Sequence, residues 1–262
     1  MLRTRGLTKA FGGLTAVDDV DFELGPELCS LIGPNGAGKT TFFNLLTGAL
    51  EPTAGSVELD VDGEWTDITD AAPHETARRG LHRSYQVTNV FPSSTVLENV
   101  RVAEQARGTD ARNVWRNADH FEEYVERAHE KLDRVGLSER ADDDASTLSH
   151  GEKRKLEVAV ALAGDPSVLL LDEPNAGVSS ESVDEVRTLI EDVAEDHAVL
   201  LVEHNMDIVM DVSERVVVLH QGAVIADGDP EAVRANPDVQ SAYLGGYEPG
   251  SLDESDRTEG TP

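Results

Sequence analysis

Eight consecutive residues, Gly33-Pro34-Asn35-Gly36-Ala37-Gly38-Lys39-Thr40, match the pattern G-x-x-x-x-G-K-[ST] in full. Glycines at these positions let backbone N–H groups turn inward around phosphate oxygens with no Cβ in the way. A helix opening at Lys39 adds its positive N-terminal end. Lys39 is then placed to reach the β- and γ-phosphates of a nucleotide, and the Thr40 hydroxyl to ligate Mg²⁺. The competing reading is a glycine-rich turn that binds nothing. The second run lies 133 residues beyond Lys39: Val168-Leu169-Leu170-Leu171-Asp172-Glu173. Four apolar residues ending in two carboxylates put Asp172 at the tip of a buried strand, the edge where α/β sheets bind ligands. Asp172 would hold the metal shell, and Glu173 would orient or deprotonate an attacking water. A strand ending in solvated acids is the alternative, and it loses weight beside the phosphate loop. The third run is Leu148-Ser149-His150-Gly151-Glu152-Lys153-Arg154. The N–H groups of Ser149 and Gly151 could bind a second phosphate at a helix start. An ordinary serine N-cap accounts for the same residues, and the residues alone favour the cap.

These groups need a frame. Residues 28–32 read as a buried strand feeding the glycine turn, followed by a helix over residues 40–47 that Gly48 closes. Residues 168–172, 198–203 and 216–219 are further strand candidates separated by helices, the signature of an α/β fold with a parallel sheet. After Ser180, Val183, Val186, Ile190 and Val193 fall on one helical face. Leu156, Ala159, Val160 and Ala163 form another such stripe. Between about residues 87 and 150 the texture turns polar and helical, with a charged segment over residues 115–135. Residues 87–147 hold 8 cations against 13 anions, a solvated inserted lobe and not a basic binding surface.

Composition narrows the function classes. The chain has 262 residues, with 22 Lys and Arg against 51 Asp and Glu, a net charge of −29; only five of the cations are lysine. That balance argues against nucleic acid as a partner, since phosphate affinity rests on clustered cations. It also implies self-repulsion that salt would screen, which suggests a salt-rich cytoplasm; normal stability in dilute buffer would overturn that expectation. The single cysteine, Cys29, excludes an internal disulfide framework and suits a reducing compartment. No apolar run approaches the roughly 18–20 residues that span a bilayer, and the N-terminus lacks the apolar region of a signal peptide. Residues 248–262 are acidic with little apolar content, an expected disordered tail.

The loop at residues 33–40, the Leu148–Glu152 turn and the run Leu171-Asp172-Glu173-Pro174 stand in the order and spacing of ATP-binding-cassette ATPases, and residues 1–247 resemble that family. The resemblance implies one domain: a P-loop NTPase, RecA-like α/β core over about residues 1–86 and 164–247, with a helical subdomain inserted over about 87–163. It implies ATP and Mg²⁺ as cofactors, with residues 33–40 and Thr41 around the phosphates. Ser149 and Gly151 become a signature turn facing the γ-phosphate held by a second cassette. His150 and Glu152 depart there from the commoner Gly and Gln. Gln86 resembles the glutamine that touches Mg²⁺ or water and relays nucleotide state to the lobe. His204 resembles the switch histidine at the γ-phosphate, and Phe11 the aromatic that stacks on adenine. Ser179 stands where many cassettes carry Asp.

Three further stretches, Phe11-Gly12-Gly13-Leu14-x-Ala16-Val17, Val202-Glu203-His204-Asn205-Met206 and the run from Asn236 to Gly245, are similar to ATPase subunits of branched-chain amino-acid and urea importers. The implied partners are a second cassette, identical or not, membrane permease subunits and, indirectly, an extracellular solute-binding protein. The implied location is the cytoplasmic face of the membrane. The competing expectation is a soluble cassette ATPase of an assembly system such as iron–sulfur cluster biogenesis, which the Gly151-Glu152-Lys153-Arg154 run also resembles.

Overall fold

The computed structural model describes residues 1–84, 90–107, 121–175 and 180–244. In chain order the strands are β1 (Leu2–Phe11), β2 (Leu14–Leu24), β3 (Leu28–Ile32), β4 (Ala54–Val61), β5 (Glu64–Asp67), β6 (Leu81–Arg83), β7 (Val168–Asp172), β8 (Ala198–Val202), β9 (Arg215–His220) and β10 (Ala223–Gly228). The helices are α1 (Lys39–Leu46), α2 (Pro73–Arg78), α3 (Val96–Arg107), α4 (Phe121–Arg134), α5 (His150–Leu162), α6 (Ser180–Ala194), α7 (Met206–Val212), α8 (Pro230–Ala235) and α9 (Pro237–Leu244).

A six-stranded sheet runs in the order β10-β9-β3-β8-β7-β6. It is parallel except for β10, which hairpins back on β9. Strands β3, β7 and β8 are buried at every position, as their unbroken apolar sequences demand of strands covered on both faces. The period of two sorts their side chains. Leu28, Leu169, Leu171, Val199 and Leu201 join the cluster made with the inserted helices and α6. Cys29, Leu31, Leu170, Leu200 and Val202 face α1 and a second sheet on the other side.

That second sheet, β2-β1-β4-β5, is antiparallel. It had no counterpart in the expected strands. Its members alternate buried and exposed positions, and register shifts between β1 and β2 break that alternation. The pattern is therefore weaker than an apolar run.

The chain leaves the main sheet after β6 and returns at β7, its immediate neighbour, with Leu81 paired to Val168. In between, Val96 and Val100 of α3, Ala128 and Leu132 of α4, and Leu156 and Ala159 of α5 belong to one apolar cluster that continues onto the sheet face. Burial of each such Leu or Val contributes about 1.5–3 kcal/mol. Arg134 adds a link from α4 to Asp192 of α6 (2.8 Å) and to Asp196 just past its end (3.0 Å).

Helix α1 opens at Lys39, directly after the left-handed Gly38. One strand boundary differs from expectation in a way that matters. Strand β8 stops at Val202, which leaves Glu203 outside the ladder with its carboxylate available. Among the described residues no helix is long and apolar enough to cross a membrane.

Candidate functional site

The loop between β3 and α1 has its shape imposed from outside. A Cβ on Gly33 would stand 2.1 Å from the Leu219 carbonyl oxygen, and one on Gly38 would stand 2.2 Å from that of Ala16. Gly38 also sits at φ 107, a conformation that side chains disfavour. Phe42 is the first residue of α1 to close an intrahelical bond, from its N–H to Gly38 O at 2.8 Å. The N–H groups of Lys39, Thr40 and Thr41 therefore lie at the open helix start, where anions are stabilised. Asn35, Gly36 and Thr40 form the exposed lip, while Ala37 and Lys39 are buried. A Cβ on Gly36 would meet nothing within 4 Å, so the cradle is open there. The Lys39 ammonium folds over the loop, donating to Gly33 O (2.6 Å) and Pro34 O (3.2 Å). Burial lowers its pKa, and the Glu173 and Asp172 carboxylates oppose that shift.

The two carboxylates stand at the end of β7. Asp172 is buried, and its Oδ2 accepts a hydrogen bond from Arg83 Nη2 at 2.5 Å. Arg83 is the last residue of β6; its Nη1 donates to Asn44 Oδ1 on α1 (2.7 Å), and its guanidinium lies 5.3 Å from the Phe43 ring centroid. One cation thus ties the metal-binding candidate to the helix behind the phosphate loop. Sequence reading did not select Arg83. The available signal was a charge at the end of a short strand three residues before Gln86, which burial obliges to find a partner.

Glu173 turns away from the strand at φ 50, a conformation that costs about 1–3 kcal/mol in a residue with a side chain. Its N–H still donates to Val202 O (2.9 Å), so the turn is anchored to the end of β8. Its Oε1 lies 2.6 Å from Nε2 of His204. The two residues, 31 apart in sequence, meet because β7 and β8 are parallel neighbours paired Asp172 to Val202. Glu203 was also missed. It is 5 % exposed and accepts from Asn175 N (3.0 Å), Asn175 Nδ2 (2.9 Å) and His204 N (3.2 Å).

Lys39, Asp172, Glu173 and His204 are thus gathered at one end of the main sheet. Ser149 and Gly151 belong elsewhere in the single chain. Ser149 caps α5 in a capping box: its Oγ accepts from Glu152 N (3.3 Å), and its N–H donates to Glu152 Oε2 (2.8 Å). Arg140 donates to the other Glu152 oxygen at 2.6 Å. Burial pushes the Glu152 carboxyl upward, and the Ser149 bonds with the Arg140 charge outweigh it, so its pKa falls below the ordinary value. Phe11 ends β1 with half its surface exposed and Lys9 Nζ 5.3 Å from its ring centroid. Gln86 and Ser179 lie outside the described residues, as does the 248–262 tail. Tyr243 on α9, within the run from Asn236 to Gly245, meets Gly33: burial raises the phenol pKa, and a hydrogen bond to the Gly33 backbone opposes the rise.

A nucleotide with Mg²⁺ fits this donor set. The cradle offers backbone N–H groups, one ammonium, one hydroxyl and one carboxylate. Among the described residues no cluster of three or more His, Cys, Asp or Glu is placed to hold a metal by itself. Mg²⁺ commonly binds in that manner, through one or two protein oxygens with phosphate and water completing the shell.

Known proteins carry the same plan. A family model described as ABC transporter matches residues 17–176, and one described as branched-chain amino acid ATP-binding cassette transporter matches residues 223–249. The chain is 41 % identical over 255 residues to the high-affinity branched-chain amino acid transport ATP-binding protein BraF of Pseudomonas aeruginosa and, equally, to LivG of Escherichia coli K12. Each alignment covers 94 % of this chain and 98 % of the relative. Among solved structures, an ATP-binding cassette of an ABC transporter in its ADP conformation superposes with a TM-score of 0.81 at 31 % identity, covering 94 % of this chain and 98 % of the other. A shared loop, shared sheet and near full-length likeness lead to one conclusion: this chain belongs to the ABC transporter family, as an ATP-binding, ATP-hydrolysing cassette.

Proposed function

We propose that two cassettes, this chain with a copy or a close relative, sandwich two ATP molecules and that hydrolysis drives a permease for branched-chain amino acids. Each site would join Lys39, Thr40, Asp172 and Glu173 of one cassette to Ser149 and Gly151 of the other, with Phe11 against the adenine. Residues 1–247 would act as one cassette domain. The observation that carries the reading is the Glu173 Oε1–His204 Nε2 contact of 2.6 Å beside the phosphate loop.

In this reading Glu173 accepts a proton from the water whose oxygen attacks the γ-phosphorus as the bond to the β–γ bridging oxygen breaks. His204 holds that carboxylate in place and contacts the γ-phosphate. Lys39 leaves its own loop carbonyls for phosphate oxygens, exchanging weak acceptors for charged ones. Thr40, Asp172 and Gln86 would hold Mg²⁺, which would supply neutralisation of phosphate charge. Arg83 engages Asp172 through Oδ2 and holds the carboxylate in place.

Force would pass to the membrane through a cavity of about 1050 Å³ between β6, α3 and α5, lined by His82, Ser84, Val90, Ala103 and Val160 among others. A permease segment seated there would place this chain on the cytoplasmic face of the membrane, with an extracellular solute-binding protein delivering substrate. The match at residues 223–249 favours transport over a soluble assembly system.

The test is turnover of the full chain with its permease. Glu173→Gln is expected to bind ATP, hold the closed dimer and lose at least about a hundredfold in phosphate release. Lys39→Ala is expected to lose ATP binding as well. A parental rate in Glu173→Gln would overturn the assignment of Glu173.

A further inference from the structure

We infer that Glu203, which lies one residue before His204, is a positioning residue for ATP hydrolysis: its carboxylate clamps the two loops that present Glu173 and His204. The inference rests on the active-site reading above. Strand β8 reads Ala198-Val199-Leu200-Leu201-Val202, and an apolar residue next in line would extend the same core. A carboxylate stands there instead and is 5 % exposed. Burying that group is costly unless every charge-bearing oxygen finds donors. Among the described residues no cation pairs with it, so the donors come from the loops themselves. Oε1 accepts from both Asn175 N (3.0 Å) and Asn175 Nδ2 (2.9 Å), and Oε2 accepts from His204 N (3.2 Å).

Asn175 is two residues past Glu173, on the loop that leaves β7, whereas His204 opens the loop that leaves β8. The β-ladder holds these loops together only as far as Val202, whose carbonyl takes the Glu173 N–H. Beyond that point, among the described residues, the Glu203 carboxylate bridges the loops beside the Glu173–His204 contact itself. It therefore sets the 2.6 Å approach of Glu173 Oε1 to His204 Nε2. All three donors point at oxygens, so a glutamine of nearly the same shape must turn an NH₂ toward either Asn175 or His204 and break that side.

The experiment compares steady-state ATP hydrolysis and ATP binding for the full chain carrying Glu203→Gln, Asn175→Ala, both together, or Glu173→Gln. Glu203→Gln is expected to lower kcat by roughly ten- to a hundredfold, the scale of a small misplacement of a reacting group, with KM for ATP within about twofold of parental. Asn175→Ala is expected to lower kcat in the same sense but less, and the double variant to match Glu203→Gln alone, since both act through one clamp. Should Glu203→Gln fail to fold, Asn175→Ala carries the same kcat-against-KM test by itself. A parental kcat in a folded Glu203→Gln or Asn175→Ala protein, while Glu173→Gln is inactive, overturns this inference alone. Parental rates in Glu173→Gln as well would bring down the site assignment and this inference together. A matched loss in ATP binding and kcat would show general loosening of the fold and also overturn it.

Discussion

The phosphate loop and the acidic edge formed by the ends of β7 and β8 lie at the same end of one sheet, yet they are held by opposite means. Backbone packing shapes the loop: Leu219 O and Ala16 O leave no room for a Cβ at Gly33 and Gly38, and Lys39 bonds to carbonyls within its own loop. Side-chain charge shapes the edge. Arg83 draws Asp172 toward Asn44, and the carboxylate of Glu203 binds the loops that carry Glu173 and His204. A device that grips a constant ligand is built from nearly incompressible sterics. The edge is built instead from side-chain bonds that can be exchanged. Arg83 and Asp172 illustrate this, a buried ion pair that also reaches Asn44 on α1.

Breaking the edge is expected to cost most. Arg83→Met leaves a buried Asp172 carboxylate without its cation, and loss of one partner of such a pair typically destabilises by about 3–5 kcal/mol. Thermal unfolding of the metal-free chain checks this, and a Tm within a degree of parental would show that solvent or another group already neutralises Asp172. Breaking the loop sterically comes next. Gly38→Ala places a methyl against Ala16 O at a left-handed φ, and about 2 kcal/mol of stability should be lost, together with ATP affinity. Denaturant midpoints with and without ATP separate the two effects. Retained nucleotide stabilisation would mean that the loop relaxes more easily than its packing implies.

The smallest effect belongs to the α5 cap. Glu152 has a folded-state pKa below its unfolded one, so the stability it contributes is present at neutral pH and is lost as pH falls through the depressed value. Glu152→Gln keeps much of the capping geometry but loses the Arg140 ion pair, which solvent screens, so the effect is small. The difference from parental should be measurable near neutrality and vanish in acid. A gap that widened on acidification would reverse the assigned sign.

Much of the site was legible because its residues are local in sequence. Residues 33–40 carry their own turn chemistry, and the apolar run of β7 announces both its burial and the position of Asp172 at its tip. His204 was found through a resemblance and not through its own spacing, because a histidine after a strand has no local signature. Arg83, Glu203 and Tyr243 were not found. Each acts on a partner far along the chain: Arg83 on Asp172, 89 residues away; Glu203 on Asn175, 28 away; Tyr243 on the Gly33 backbone. Ser149 carried the opposite lesson. Its local reading as a helix cap is what the single chain displays, and a role toward phosphate calls for a second cassette.

Composition, the glycine loop and the apolar strands alone determined that this chain builds a doubly covered parallel sheet with a phosphate cradle at the end of β3. Those properties follow from φ preferences and side-chain periodicity, which act over a few residues. The order of the strands was decided only by tertiary packing, which sets β8 between β3 and β7 and thereby brings Glu173 to His204 and Glu203 to Asn175. Hydrogen bonds between carboxylates and donors decades of residues apart have no trace in local pattern, because it is the fold that chooses their neighbours.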